Sequence, residues 1–262
     1  MEQEQELVDK YGLIGKDIGY SFSRGYFKNK FDKLEIAATY VNFDVPEKEA
    51  LKDLFSPAYA KGYNVTIPYK QDVIPLVDNL NVDAEAIGAV NTIKVESDGT
   101  LTGYNTDFIG FRDTLLEHFG DSLFVDFGTP SFKSRDLKCL ILGTGGASKA
   151  VHYAMKQLGV QCVFVSRKRN KSTITYEDLD RELIESQTFI VNTTPLGTYP
   201  DVEESPDIPY LFLNEAHVAF DLIYNPAESS FLRYAGKQGA TIINGLRMLE
   251  LQAEASWSIW NS

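Results

Sequence analysis

Cysteine, tryptophan and histidine are all scarce, at two, two and three in 262 residues. Two cysteines cannot build a disulfide-stapled scaffold, and Cys139 and Cys162 form no CxxC pair and stand at no metal-ligand spacing. His118, His152 and His217 are equally scattered, so no metal site is expected. Both cysteines fall in expected sheet strands and read as reduced packing residues. Long apolar runs are missing too, since none approaches the roughly 20 residues of a membrane span. Positive charge is in deficit: 25 Lys and Arg stand against 37 Asp and Glu, for a formal net charge of −12. That balance speaks against nucleic acid and anionic membrane as partners, and it requires a local positive patch for any anionic ligand. The opening Met-Glu-Gln-Glu-Gln-Glu is the reverse of a basic signal-peptide start, so the chain is expected in the cytoplasm. Repeats and low-complexity segments are absent.

What is present is one stretch around which the rest can be arranged. Leu140, Ile141 and Leu142 form the short apolar run that a strand buried on both faces of a parallel sheet requires, and the run stops at Gly143. Gly143 and Gly145 fit the first two glycines of the dinucleotide-binding pattern, with Ser148 in the third place. A helix from Ala147 to Leu158 would aim its amides and dipole at a pyrophosphate, and Gly159 would close it before a strand from Val160 to Val165. An NAD-binding unit usually carries an acid at the end of that strand. Here stand Ser166, Arg167, Lys168, Arg169 and Lys171. Cations cannot accept from ribose hydroxyls but can pair with a phosphate on the ribose, Arg167 bidentately. These residues point to NADP, and they supply the positive patch that the net charge demands. The alternative is a solvated basic turn on a unit that binds nothing.

Elsewhere strands and helices alternate. A strand from Tyr11 to Ile14 leads through a loop with Ser21 and Ser23 into a helix from Arg24 to Leu34; capping explains Ser23 more readily than Ser21. A strand from Thr39 to Phe43 and a helix from Glu47 to Phe55 follow. Asn64 and Thr66 share one strand parity, and Tyr63, Val65 and Ile67 the other. Pro68 ends that strand, and Lys70 opens a helix running towards Leu76 and Val77. Taken alone, such a lysine is a solvated charge as readily as an acid or base. Asn91 and Thr92 lie in a strand after Gly88, and Asn105, Thr106 and Asp107 precede a helix from Phe108 to Phe119, where capping accounts for all three. A linker is expected from Gly120 to Asp136. After the glycine-turn unit, a strand over Phe189, Ile190 and Val191 ends at Asn192. The loop beyond, with Asp201, Glu203 and Glu204, is either a mobile cover or plain surface. A strand from Val218 to Ile223, a helix from Ser229 to Gly236, a strand from Thr241 to Ile243 and a helix from Leu246 to Trp260 complete the chain.

Eight segments, in order, resemble the signatures of the shikimate dehydrogenase family: Ser21 to Ser23, Asn64 to Lys70, Gly88 to Thr92, Asn105 to Asp107, Gly143 to Ser148, Asn192 to Gly197, Asp221 to Pro226 and Asn244 to Gln252. The resemblance covers nearly the whole chain. It implies an α/β fold in two domains, with a substrate-binding domain over 1–108 and a Rossmann-like NADP-binding domain over 109–239. Residues 240–262 would return to the first domain, packing the C-terminal helix against it. The implied activity is the NADP-linked interconversion of 3-dehydroshikimate and shikimate, within aromatic amino acid and chorismate biosynthesis. By resemblance, Lys70 is the acid/base group and Asp107 its orienting partner. Ser21, Ser23 and Tyr224 would hold the substrate carboxylate, while Asn64, Thr66, Asn91 and Gln252 bind hydroxyls. NADP would lie on Gly143, Gly145, Gly146, Ala147, Ser148, Ser166, Arg167, Lys168, Lys171, Asn192, Thr193, Thr194 and Gly245. No metal is implied. Two departures stand out: Ser166-Arg167-Lys168 replaces the family's frequent Asn-Arg-Thr while keeping the charge, and Arg24 replaces a frequent proline. Rival readings are an enzyme that also oxidises quinate or uses NAD, and a non-catalytic NADP or metabolite sensor of the same fold. The lysine and aspartate pair weighs against a sensor. Oligomeric state is left between monomer and homodimer.

Overall fold

The computed structural model describes residues 8–19, 21–55, 60–120 and 137–262. The acidic N-terminal run and, beyond Gly120, the expected linker lie outside the described residues. The chain divides into two compact units, Met1–Thr106 with Ala253–Ser262, and Asp107–Gln252.

The first unit holds β1 (Asp9–Gly15), α1 (Phe22–Leu34), β2 (Ala38–Asp44), β3 (Gly62–Val65), β4 (Asn79–Leu80), α2 (Val82–Ile87), β5 (Thr92–Val95) and β6 (Leu101–Tyr104). Its mixed sheet runs β2-β1-β3-β5-β6-β4, parallel from β2 to β3 and antiparallel from β3 through β5 to β6. Strand alternation sorts the side chains onto two faces. On one face Tyr11, Leu13 and Tyr40 meet Phe27 and Phe31 of α1 together with Trp257 and Trp260 from the end of the chain. On the other, Ile14, Tyr63 and Val65 pack with Leu51, Tyr69, Val73 and Ala84.

Two expected helices are not α-helical. Residues Lys48–Leu54 and Ile74–Leu76 form 3₁₀ turns, and Lys70 sits in a run of turns. Tyr69 N donates to Thr66 O at 2.9 Å and Ile74 N to Gln71 O at 3.2 Å, both three-residue closures. Pro75 then has no amide with which to continue a ladder. The helix capped near Ser23 begins earlier than expected, at Phe22, so Ser21 takes the N-cap position and Ser23 lies buried in the first turn.

The second unit holds α3 (Asp107–Phe119), β7 (Lys138–Leu142), α4 (Gly146–Gln157), β8 (Gln161–Ser166), β9 (Thr173–Thr175), α5 (Arg181–Glu185), β10 (Phe189–Asn192), β11 (Val218–Asp221), α6 (Ser230–Lys237) and β12 (Thr241–Ile243). Helix α7 (Leu246–Trp260) belongs to it as far as Gln252. The sheet is parallel throughout, in the order β12-β11-β10-β7-β8-β9. The C-terminal segment joins the first unit from Ala253 onward, within α7, while β12 stays in the sheet of the second unit. Thr241, Ile242 and Ile243 pair with Val218, Ala219 and Phe220. Cys139 and Cys162 face each other across β7 and β8 as free thiols, and burial pushes the Cys139 thiol up. Among the described residues no helix is long and apolar enough to cross a membrane.

Candidate active site

In a doubly wound sheet the strand order reverses once, and ligands bind outside the carboxyl ends of the strands at that point. Here the reversal falls between β7 and β10. The two segments that leave those strands are the glycine turn from Gly143 and the loop from Asn192. Gly143 has φ +115°, and an added Cβ would come within 2.6 Å of Thr193 Oγ1, so only glycine fits. At Gly145, just before the first amides of α4, an added Cβ would meet nothing within 4 Å. Gly145 is also the N-cap of α4 and has no side chain to occupy those amides. A pyrophosphate fits such a cradle, where backbone donors and helix dipole converge. Ser148 is tolerated in the third place because its hydroxyl turns back to donate to Gly145 O at 2.6 Å.

At the end of β8 the basic loop is held by its own polar residues. Thr173 Oγ1 donates to Lys168 O at 3.2 Å and accepts from Asn170 N at 3.1 Å, while Ser172 donates to Asn170 Oδ1. Arg169 pairs with Asp178, which also accepts from the Thr175 amide and hydroxyl. Arg167, Lys168 and Lys171 are exposed and form no ion pair among the described residues. The Arg167 guanidinium lies close enough to Tyr176 to oppose the upward push of burial on that phenol. Three cations therefore remain for an anionic group at the strand end.

Across the switch point, Asn192 is fully buried and fixed on both sides of its amide. Its Nδ2 donates to Asp221 Oδ1 at 3.0 Å, and its Oδ1 accepts from Thr194 N at 3.0 Å and Thr194 Oγ1 at 2.7 Å. Asp221, at 0% exposure, also accepts from Ile223 N at 3.0 Å and from the Ser229 hydroxyl. Burial raises its carboxyl to about 6 in spite of these donors. Tyr224, three residues on, is half-buried, and its phenol is pushed up by burial. Gly245 N donates to Ile223 O at 3.0 Å, and a Cβ there would run into the Leu222 carbonyl. The loops after β10, β11 and β12 are thus tied to one another. The acidic segment beyond Gly197 is tied down as well: Ser230 Oγ donates to Val202 O at 3.0 Å, and Arg233 pairs with Glu203 at 3.0 Å.

In the first unit, backbone hydrogen bonds knit two signature segments to each other and to Tyr104, the residue before a third. Val90 N donates to Lys70 O at 2.7 Å, Val65 N to Asn91 O at 2.8 Å and Asn91 N to Tyr104 O at 3.0 Å. The half-buried Lys70 is therefore anchored through its main chain. Asn91 Oδ1 accepts from Thr106 N at 2.6 Å, and Asn91 Nδ2 donates to Thr106 Oγ1 at 3.0 Å. Asp107, with which the second unit begins, is the buried first residue of α3 and not its N-cap. Ser21, at the N-cap of α1, makes no side-chain bond to the first turn, and Ser23 is hydrogen-bonded to Tyr40. Gln252 Nε2 donates to Leu249 O at 2.9 Å.

Asn64 differs from the other expected substrate ligands. It is 4% exposed, its Oδ1 accepts from Tyr40 Oη at 2.8 Å, and its Nδ2 donates to Ser256 Oγ at 2.9 Å and Asn91 O at 3.3 Å. Both amide hydrogens are engaged inside the protein. Ser256, fully buried on α7, also lies 2.8 Å from Thr92 Oγ1 and 3.1 Å from Thr106 Oγ1. This hub was missed from sequence, because a serine in an apolar helix carries no local sign of partners 150 to 192 positions away.

The sheet order of the second unit, with a glycine turn at its switch point, defines the dinucleotide-binding class of α/β units. The chain as a whole belongs to the shikimate dehydrogenase family. The family model for the shikimate dehydrogenase substrate binding domain matches residues 13–93. A relative named shikimate dehydrogenase (NADP(+)), from Methanococcus maripaludis, is 38% identical over 95% of this chain and 90% of its own length. A crystal structure of a shikimate dehydrogenase in complex with NADP+ superposes with a TM-score of 0.82 at 32% identity, over 97% of this chain and 90% of the other. The Listeria monocytogenes shikimate 5-dehydrogenase, solved with shikimate and NAD, superposes with a TM-score of 0.84 at 27% identity, over 100% and 94% of the two chains.

Proposed function

We propose that this chain is an NADP-dependent shikimate dehydrogenase, reversibly reducing 3-dehydroshikimate to shikimate in the cytoplasm, in the biosynthesis of chorismate and the aromatic amino acids. The observation that carries the cofactor choice is the strand end at Ser166, where three exposed cations stand in place of an acid. Bound there, NADP would supply the hydride for the substrate ring. Gly143, Gly145, Gly146, Ala147 and Ser148 receive its pyrophosphate; Ser166, Arg167, Lys168 and Lys171 its ribose phosphate; and Asn192, Thr193, Thr194 and Gly245 line the remainder.

Lys70 is the acid/base group, and Asp107 orients it. Reduction turns the ring carbonyl into an alkoxide, so a proton or a positive charge must be at hand, and an ammonium supplies either. Ser21, Ser23 and Tyr224 hold the carboxylate, and Thr66, Asn91 and Gln252 the hydroxyls. Asn64 takes a positioning role in this reading, since its amide hydrogens are already bonded to Ser256 and Asn91.

The test pairs shikimate or quinate with NADP or NAD and follows reduced-nicotinamide absorbance. Fast turnover of shikimate with NADP alone is expected. Turnover of quinate, or equal use of NAD, would replace this reading with the broader enzyme. Ligand-induced stabilisation without hydride transfer would replace it with a sensor. Sedimentation of the active species would distinguish monomer from homodimer.

A further inference from the structure

Asp221 is a buried carboxylate to which no part of the proposed chemistry assigns a role. It ends β11 beside Asn192 at the end of β10, and the two are register partners in the sheet. Three donors converge on it from three segments: Asn192 Nδ2 from the last residue of β10, Ile223 N from its own loop, and Ser229 Oγ from the N-cap of α6. Through Asn192 the contact extends to the amide and hydroxyl of Thr194. One carboxylate therefore fixes both the loop that would receive the dinucleotide and the loop that carries Tyr224.

We propose that Asp221 is a positioning residue for the cofactor site, holding the β10 and β11 loops in their receptive arrangement as a carboxylate and loosening them when protonated. This rests on the NADP-binding reading above. Oδ1 already accepts from two N–H donors, so an added proton must go to Oδ2. There it either reverses the bond to Ser229, which then accepts where it now donates while still accepting from Leu232 N at 3.3 Å to cap α6, or leaves Ser229 donating to a protonated and much weaker acceptor. Oδ1 also becomes a weaker acceptor for Asn192. The groups facing Asp221 do not compete for the proton. Asn192, Ser229 and the Ile223 amide are neutral, and Tyr210, the ionisable side chain that senses Asp221 electrostatically, has its phenol pushed well up by burial. The transition falls near pH 6, where the buried carboxyl is placed.

The test is equilibrium binding of NADP to the intact protein at a series of pH values, comparing wild type with Asp221→Asn. The ribose phosphate of NADP itself titrates near pH 6, so the informative quantity is the ratio of the two affinities on the same ligand. The amide copies the protonated acid: it donates towards Ser229 and accepts weakly from Asn192. The ratio is therefore expected near one at pH 5 and about tenfold in favour of wild type at pH 7.5, rising through about pH 6. Ser229→Ala, which removes a donor from the carboxylate, should move the acid limb of wild-type binding to higher pH. A ratio that stays constant with pH, together with an unmoved limb in Ser229→Ala, would overturn the inference while leaving NADP binding intact. Failure of wild type to bind NADP at any pH would overturn both the inference and the reading beneath it.

Discussion

Asp221 carries a cost at neutral pH that its neighbours do not remove. Its carboxyl titrates near 6 in the fold against an ordinary 3.8, so the fold favours the protonated form. The stabilisation linked to that proton is fully present below about pH 4 and is lost as pH rises through about 6, a difference of about 3 kcal/mol. Asp221→Asn is therefore expected to unfold at higher urea than wild type at pH 7.5, by about 1–2 kcal/mol once an extra buried N–H is allowed for, and at slightly lower urea than wild type at pH 4, where the carboxyl is protonated and only the cost of that N–H remains. A variant less stable at neutral pH would contradict this. Ser21 calls for a different experiment. Its hydroxyl does not cap α1, so Ser21→Ala should leave the thermal midpoint unchanged while raising the Michaelis constant for shikimate about tenfold or more. Lys70→Ala should lower turnover by at least about a hundredfold, with the fold retained because the anchoring bond comes from its carbonyl oxygen. Wild-type turnover in that variant would remove the lysine from the chemistry.

Among the elements, α7 reaches furthest through its side chains. Ser256 meets Asn64, Thr92 and Thr106, and Trp260 stacks on Tyr11 at 4.9 Å between ring centres while its Nε1 donates to Ile93 O at 3.0 Å. Ser256→Ala leaves the Asn64 amide and two buried threonine hydroxyls without that partner, and a loss of about 1–3 kcal/mol in urea unfolding is expected. The ends of α7 and of β12 were legible in the sequence because apolar periodicity and flanking breaks coincide there. The glycine-turn unit was legible for a related reason: strand, turn and helix each carry their own local sign. The segment from Pro68 to Leu80 was not. Its apolar residues suggest one helix, yet two prolines and short closures give turns, a 3₁₀ turn and the two-residue β4. Helix α2, with six residues capped by Asn81, and the three-residue β9 are too short for periodicity to register. At the site, strand parity told which face Asn64 occupies, but not that the face is filled by a residue 192 positions later.

At the scale of the whole molecule, the chain passes between its units twice, at Thr106–Asp107 and at Gln252–Ala253, the second time within a helix. Both tryptophans, Trp257 and Trp260, lie in the first unit, whereas the proposed dinucleotide cradle is in the second. Tryptophan emission therefore reports on the unit that does not hold the glycine turn. With two covalent crossings, one of them helical, a single unfolding transition is expected, coincident by circular dichroism and by emission. NADP at a hundred times its dissociation constant should then raise both midpoints together, by roughly 5–10 °C. A shift seen by dichroism alone would show that the units melt separately. The same arrangement bears on how the protein is made. Domains emerging from a ribosome ordinarily fold in the order of their synthesis. In this chain the first unit cannot complete its aromatic core until Trp257 and Trp260 exist, and those are translated after the entire second unit. The unit begun first is finished last, and until then its Tyr11, Phe27 and Phe31 are exposed surface that a chaperone could bind.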